Sequence, residues 1–359
     1  MKLLLAGGFL GSGKTTAIQQ ACFLLLKANK KVAVITNDQG EELVDSRFIN
    51  SFSIPVKEVT NGCFCCNYNH LLQNIYYFSK EINPDIIFGE TVGSCADIVA
   101  TIAKPLAEMH PEFEVNISVF VDACLLYSII TGTSSFIDDS VRYIFKKQME
   151  EADILILNKT DLVTEAELAM VLQVIRKEYA SKKILLQNSL DKKDIQQWIN
   201  CFEEEKATQR KSLDIDYEIY GAGEAKLAWL DAVLAVQTEK LPSVKASALL
   251  AEIIYEKIKH EELTIGHLKL LIDDGSNQFK ISYTTTDQHQ AAILNGTSSK
   301  ASVIINARVQ TDPEILQHII FESIDETTLK ANCKIQVHSL SAFQPGFPRP
   351  THRIGNEII

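Results

Sequence analysis

GGFLGSGKTT, residues 7–16, is the stretch whose reading decides the fold. From Gly8 it fits G-x-x-x-x-G-K-[ST], the pattern of a loop that cradles phosphates. The apolar run Leu3–Ala6 before it is short enough for a buried strand, and Ala17–Leu26 after it reads as a helix. Glycines let the backbone bend around an anion with no Cβ in the way. Exposed N–H groups and the positive end of the helix then face the phosphates. Lys14 is placed to reach the β and γ phosphates, and the Thr15 hydroxyl to coordinate Mg²⁺. Gly8, Gly11, Ser12, Gly13, Lys14, Thr15 and Thr16 are the expected nucleotide-binding residues. A dinucleotide loop is the rival, since Asp38 lies at a suitable distance. G-x-G-x-x-G is not met, however, because Gly11 and Gly13 are followed by Thr16.

Working outward, 359 residues predict two domains. A hydrophobic content of 46% and a charged content of 23% are those of a globular protein. The net charge of −11 argues against a nucleic-acid-binding face and a cationic membrane surface. The short apolar opening runs straight into the phosphate loop and reads as a strand rather than a leader. No apolar run approaches a membrane span. Eight cysteines in a chain of this length are no disulfide scaffold, and the expected setting is cytoplasmic.

Up to about residue 205, apolar runs alternate with helical stretches. Lys31–Ile35, Pro84–Phe88, Asn116–Val121, Ala152–Leu157 and Lys183–Leu186 are the further strands, each ending in polar residues. That pattern predicts an α/β nucleotide-triphosphatase domain, residues 1–205, with a mostly parallel sheet and ligands at the strand ends. A charged stretch follows. Residues 225–345 then read β-α-β-β-β-α-β, a smaller ferredoxin-like α+β domain with an extra strand. The proline-containing tail, 346–359, is expected on the surface.

Three constellations carry chemistry besides the phosphate loop. Asn158-Lys159-Thr160-Asp161 follows a strand, where N-K-x-D reads guanine. The Asp161 carboxylate can accept from the base N1–H and N2–H₂, Lys159 can cover the ring, and Asn158 can brace the loop. Asp38 and Glu90 end strands near the phosphate loop. Asp38 is the expected Mg²⁺ carboxylate and Glu90 the group that orients water; with Lys14 they form the catalytic set. Cys63, Cys65 and Cys66, in NGCFCC, put three thiols at one turn. They suit Zn²⁺ or a similar ion with one position open for exchange. Thiol–disulfide exchange between Cys63 and Cys66, or plain packing, are the alternatives. Cys95, two residues beyond Gly93, reads as a buried small residue that could join a metal site. Arg349, His352 and Arg353 read as a solvated basic tail, and Glu41 and Glu42 as part of a switch loop.

GFLGSGKTT, TNDQG (36–40), GCFCC (62–66), E-x-x-G (90–93) and NKTD (158–161) stand in the order found in CobW/HypB/UreG GTPases. The chain resembles that family, and its C-x-C-C motif resembles the CobW-like branch. The resemblance covers the first 200 residues with specific motifs; the remainder is similar only in size and pattern. It implies a slow GTPase using GTP and Mg²⁺ that delivers Zn²⁺ or Co²⁺ to a client metalloprotein or cofactor-assembly protein. A nucleotide-dependent homodimer is left open. The chain departs from the family in having Asn37-Asp38 where asparagine-glutamate is common. It also has eight scattered histidines in place of a histidine tract, which favours delivery over storage. A regulatory GTP-binding module with a cysteine redox sensor is the alternative function, and a small-molecule kinase a weaker one.

Overall fold

The computed structural model describes residues 1–40, 44–134, 138–204, 210–286 and 294–356; Glu41 and Glu42 lie outside them. The chain divides into two compact units. One comprises Met1–Gln39, Ser53–Gly223 and Phe347–Ile359, the other Gly40–Phe52 and Glu224–Gly346.

The first unit holds the strands β1 (Lys2–Gly8), β2 (Val32–Asn37), β3 (Val56–Val59), β4 (Ile86–Glu90), β5 (Glu114–Asp122), β6 (Ile154–Asn158) and β7 (Lys183–Gln187). They form one seven-stranded sheet in the order β3-β2-β4-β1-β5-β6-β7. Every pairing is parallel. Its central strands are buried along their whole length, which is why they read as unbroken apolar runs. The α/β expectation holds, with one strand more than the pattern suggests. Val-Lys-Glu-Val of β3 is short, sits at the sheet edge and buries only Val59.

Register brings the strand ends together. Ala6 pairs Glu90, Thr36 pairs Glu90, Asn37 pairs Val59 and Asp122 pairs Asn158. The phosphate loop, Asn37, the cysteine loop after β3, Glu90 and the N-K-x-D turn therefore emerge at one edge of the sheet.

The second unit holds β8 (Leu227–Thr238), β9 (Thr264–Asp273), β10 (Gln278–Thr284), β11 (Lys300–Gln310) and β12 (Cys333–Phe343), in the order β10-β9-β11-β8-β12, all antiparallel. This is the four-strand ferredoxin-like order β9-β11-β8-β12 with the edge strand β10 added. Helices Ser243–His260 and Pro313–Ala331 share a core with Leu230, Ala232 and Leu234 of β8. The second helix ends at a left-handed Asn332 cap at φ 44°. On Val233, Leu271 and Ile304 packs a short helix, Val44–Asn50, that the sequence pattern does not mark. Its Asp45 lies between the ammonium groups of Lys269 and Lys280. Burial opposes ionisation of that carboxyl, but the two lysines outweigh it and hold its pKa well below the usual range.

Helix Asp139–Glu151 of the first unit ends on a buried acid. Glu151 Oε1 accepts from Val99 N at 2.9 Å. Burial pushes the carboxyl up to about 8. A raised folded-state pKa makes the group's contribution most favourable below its unfolded pKa near 4.5, and that contribution is lost as pH rises through about 8. Glu151→Gln keeps the acceptor and removes the titration. Between pH 5 and pH 9 the stability of the variant should fall by roughly 2–4 kcal/mol less than that of the parent, at 1.36 kcal/mol per pKa unit. Thermal unfolding at the two pH values checks this; parallel curves for the two proteins would refute it.

Candidate nucleotide and metal site

The phosphate loop needs its glycines for different reasons. Gly8 has φ 125°, and a Cβ there would meet Phe120 O at 2.1 Å. Gly13 caps helix Lys14–Lys27 at φ 91°, and a Cβ there would meet Asn158 Nδ2 at 2.3 Å. The loop is thus folded tightly against β5 and β6. Lys14 is buried and donates from Nζ to Gly8 O at 2.7 Å and Phe9 O at 3.2 Å.

The Thr15 hydroxyl donates to Glu90 Oε1 at 2.7 Å. Glu90 ends β4 beside β1, and register puts it level with Ala6, just before the loop that leads into helix Lys14–Lys27. Thr15 and Glu90 are both buried, and they present two hard oxygens of the kind Mg²⁺ takes. Asp38, expected in that place, follows β2, and its N–H donates to Val59 O at 3.2 Å.

Asn158 joins two loops. Its amide donates to Ser12 O at 2.7 Å, and its Oδ1 accepts from Ser189 N at 3.1 Å and Ser189 Oγ at 2.8 Å. Lys159 is left-handed at φ 60°, and its ammonium sits 2.8 Å from Asp122 Oδ2. The ion pair holds the stem of Lys159 across the end of β5, beside the exposed Asp161. Ser189 and Asp122 are partners that the motif alone does not reveal.

The cysteine loop begins at Asn61 and Gly62, both with positive φ. Cys63 and Cys65 are buried and Cys66 half-buried. Their sulfurs form a triangle with edges of 2.6, 3.3 and 3.8 Å. Three thiolates held tetrahedrally at about 2.3 Å from Zn²⁺ lie about 3.8 Å apart, so small side-chain rotations suffice to admit the ion. Hydrogen bonds that the Cys65 thiol donates to neighbouring sulfurs, followed by burial, push its pKa well above its ordinary value, and contact with Cys63 raises that of Cys66. Among the described residues this is the group of cysteine, histidine and carboxylate side chains able to converge on a metal.

Asn37 ties this loop to the sheet edge. Its amide donates to Val59 O at 2.9 Å and Gly62 O at 2.8 Å, and its Oδ1 accepts from Phe64 N at 2.7 Å. Sequence pattern marks Asn37 only as a strand-end residue. The tail also touches the loop. Thr351 N donates to Cys65 O at 2.8 Å, Thr351 Oγ1 to Cys66 O at 2.9 Å, and Arg349 N to Cys66 Sγ at 3.3 Å. His352 stands edge-on to Tyr68, and Arg353 Nε donates to Asp97 Oδ2 at 2.7 Å. The basic tail is anchored by specific bonds, contrary to its reading as a solvated terminus.

Of the expected residues, the structure thus joins Thr15 with Glu90, Ser12 with Asn158, and the three cysteines with one another. The family model for the CobW/HypB/UreG nucleotide-binding domain matches residues 2–187. The chain belongs to the CobW/HypB/UreG family. This CobW/HypB/UreG protein is 28% identical over 204 residues to the zinc chaperone CobW of Sinorhizobium sp, covering 49% of this chain and 54% of that protein. It is 30% identical over 167 residues to the zinc chaperone YjiA of Escherichia coli (strain K12), covering 45% and 49%. Zinc-regulated GTPase metalloprotein activator 1 of Dictyostelium discoideum is 28% identical over 208 residues, covering 47% and 42%. The chain spans about half the length of the curated relatives it matches. Among the described residues no helix is long and apolar enough to cross a membrane.

Proposed function

We propose that this chain is a GTP-hydrolysing metallochaperone that couples nucleotide state to delivery of a transition metal, zinc in the first place. The observation that carries the proposal is the Asn37 side chain, which ties the end of β2 to the start of the cysteine turn, on either side of Cys63, at Gly62 and Phe64. The segment beyond β4 touches the phosphate loop, where Gly93 lies against Leu10, and Asn37 is held at the neighbouring strand end, so a change at the nucleotide would have a short route to the thiols.

In this assignment Gly8, Gly11, Ser12, Gly13, Lys14, Thr15 and Thr16 cradle the phosphates. Asp161 reads guanine, with Lys159 against the base and Asn158 bracing the turn. Thr15 and Glu90 would hold Mg²⁺ in place of the Asp38 expected from sequence, a reading supported by the Thr15–Glu90 hydrogen bond. Asp38 is then the acid nearest the end of β2 and acts on the hydrolysis side. When bound, Mg²⁺ offsets charge developing on the phosphates. Zinc is the cargo of Cys63, Cys65 and Cys66. The names of the CobW and YjiA relatives favour zinc over cobalt. The second unit is assigned to the client, a metalloprotein or cofactor-assembly protein, and the setting to the cytoplasm.

Coupling is reciprocal: if GTP changes zinc affinity, zinc changes GTP affinity by the same factor. The expected difference in zinc affinity between a slowly hydrolysed GTP analogue and GDP is about 5- to 150-fold. Competition titrations against a chromogenic zinc chelator measure it in both states. Equal affinities would defeat coupled delivery. A protein purified without chelator that holds no metal but forms a reversible Cys63–Cys66 disulfide would favour the redox-sensor function.

A further inference from the structure

The tail reads F-P-R-P-T-H-R-I over residues 347–354. Proline fixes its own φ and pushes the residue before it to extended backbone, so Pro348 and Pro350 stiffen the chain around Arg349. Neither proline has an N–H. The N–H groups that follow them belong to Arg349 and Thr351, and both point at the cysteine turn. Arg349 N donates to Cys66 Sγ at 3.3 Å and Thr351 N to Cys65 O at 2.8 Å, while Thr351 Oγ1 donates to Cys66 O at 2.9 Å. The tail therefore holds Cys65 and Cys66 by their main chain, and Cys66 also at its sulfur. A segment stiffened in advance loses little conformational freedom on docking, which favours the docked position.

Beyond the turn the tail is latched. Arg353 Nε donates to Asp97 Oδ2 at 2.7 Å, and the same guanidinium donates to Leu213 O at 2.9 Å. Asp97 is fully buried and takes Tyr217 OH on that same oxygen at 2.7 Å. Ile354 N then donates to Ala100 O at 2.8 Å, and the Asn356 side chain exchanges two hydrogen bonds, both at 2.9 Å, with the main chain of Ser212. All of these residues belong to the first unit. Asp97 lies on the segment that follows Glu90 and touches the phosphate loop where Gly93 lies against Leu10. The tail thus spans from that segment to the thiol turn, on a route separate from Asn37.

We propose that residues 349–353 form a strap over the cysteine turn that retains the zinc ion, with the Arg353–Asp97 ion pair as its latch. The proposal rests on the assignment of zinc to Cys63, Cys65 and Cys66. A cysteine that binds zinc does so as the thiolate, and an N–H donated to a thiolate is charge-assisted, so the Arg349 bond to Cys66 is strongest when the ion is present. Metal loading thereby tightens the strap, and freeing Arg353 from Asp97 loosens it. Arg353 is a positioning residue, since its guanidinium bonds Asp97 and Leu213 and acts on the thiols through the chain between residues 349 and 353.

The test uses the full chain, nucleotide-free, as parent, Arg353→Ala and Arg353→Lys. Release of one equivalent of Zn²⁺ to an excess of chromogenic chelator is timed, and alkylation of Cys66 by iodoacetamide is followed in metal-free protein by peptide mass spectrometry. Both rates are expected to rise about tenfold in Arg353→Ala, the low end for losing a group that orients a metal ligand, and to return towards the parent in Arg353→Lys, which keeps a cation beside Asp97. Cys22, fully buried in helix Lys14–Lys27, is the control and should alkylate at the parental rate. Parental zinc release from Arg353→Ala overturns the strap while leaving the zinc assignment standing. Equal acceleration at Cys66 and Cys22 marks general loosening and also overturns it. A parent that retains no zinc defeats the zinc assignment and the strap's role together. If Arg353→Ala does not fold, Thr351→Val decides, because it removes only the hydroxyl bond to Cys66 O: faster zinc release supports the strap and parental release refutes it.

Discussion

Lys14→Ala is expected to lower the GTP hydrolysis rate by about 10³-fold, the upper end for removal of one preorganised donor. The structure gives the reason for taking the upper end. Lys14 Nζ is buried, and Gly8 O at 2.7 Å and Phe9 O at 3.2 Å fix it inside the loop. A charge held in a water-poor site acts on a phosphoryl group more strongly than the same charge in solvent. Because the loop holds the ammonium before any ligand arrives, little reorganisation is required when charge develops on the phosphates. Lys14→Arg should fare little better. The guanidinium is a planar fork, whereas this site accommodates a compact point charge between two carbonyls. Single-turnover hydrolysis measures the effect, with thermal unfolding of the same samples to show that the loop still folds. A rate within tenfold of the parent in a folded Lys14→Ala protein would remove Lys14 from the catalytic set.

Much of the first unit was legible because its signals are local. A parallel strand buried on both faces must be apolar throughout, so Leu3–Ala6 and Ile154–Leu157 declare themselves. The glycines at 8 and 13 are dictated by backbone angle and by the close approach of Phe120 and Asn158. The strand order of the second unit follows from its element sequence in the same way. What escaped was set by contacts distant in sequence. Strand β3 is a four-residue edge with a lysine and a glutamate, and only its place beside β2 makes it a strand. Helix Val44–Asn50 is held by Lys269 and Lys280, more than two hundred residues away. The tail binds the cysteine loop partly through main-chain N–H groups at Arg349 and Thr351, which leave no mark on side-chain pattern. Which strand-end acid meets Thr15 also depended on register. Both end strands, but Glu90 ends the strand next to β1 and so reaches Thr15.

Cys65→Ser is expected to weaken zinc binding by about 10²–10³-fold and to do so more than Cys66→Ser. Structural zinc sites in peptides bind with roughly 10–16 kcal/mol shared among about four ligands, or about 3–4 kcal/mol each. At 1.4 kcal/mol per decade that is between two and three decades. Cys65 should lie above Cys66 in that range because it is buried inside the cluster. Its sulfur lies 2.6 Å from Cys63 and 3.8 Å from Cys66. Serine in its place offers a hard oxygen where a soft sulfur stood, at a buried position that water cannot readily reach to make up the loss. Cys66 is half-buried at the rim, where solvent can replace its sulfur as a ligand. Chelator competition gives both affinities. The same variants separate metal binding from nucleotide binding, since Cys65 is outside the phosphate cradle: GTP affinity without zinc should change less than threefold, while the effect of zinc on GTP affinity should disappear. If Cys66→Ser costs more than Cys65→Ser, the argument from burial is wrong. If neither substitution changes zinc affinity, the cargo site lies elsewhere.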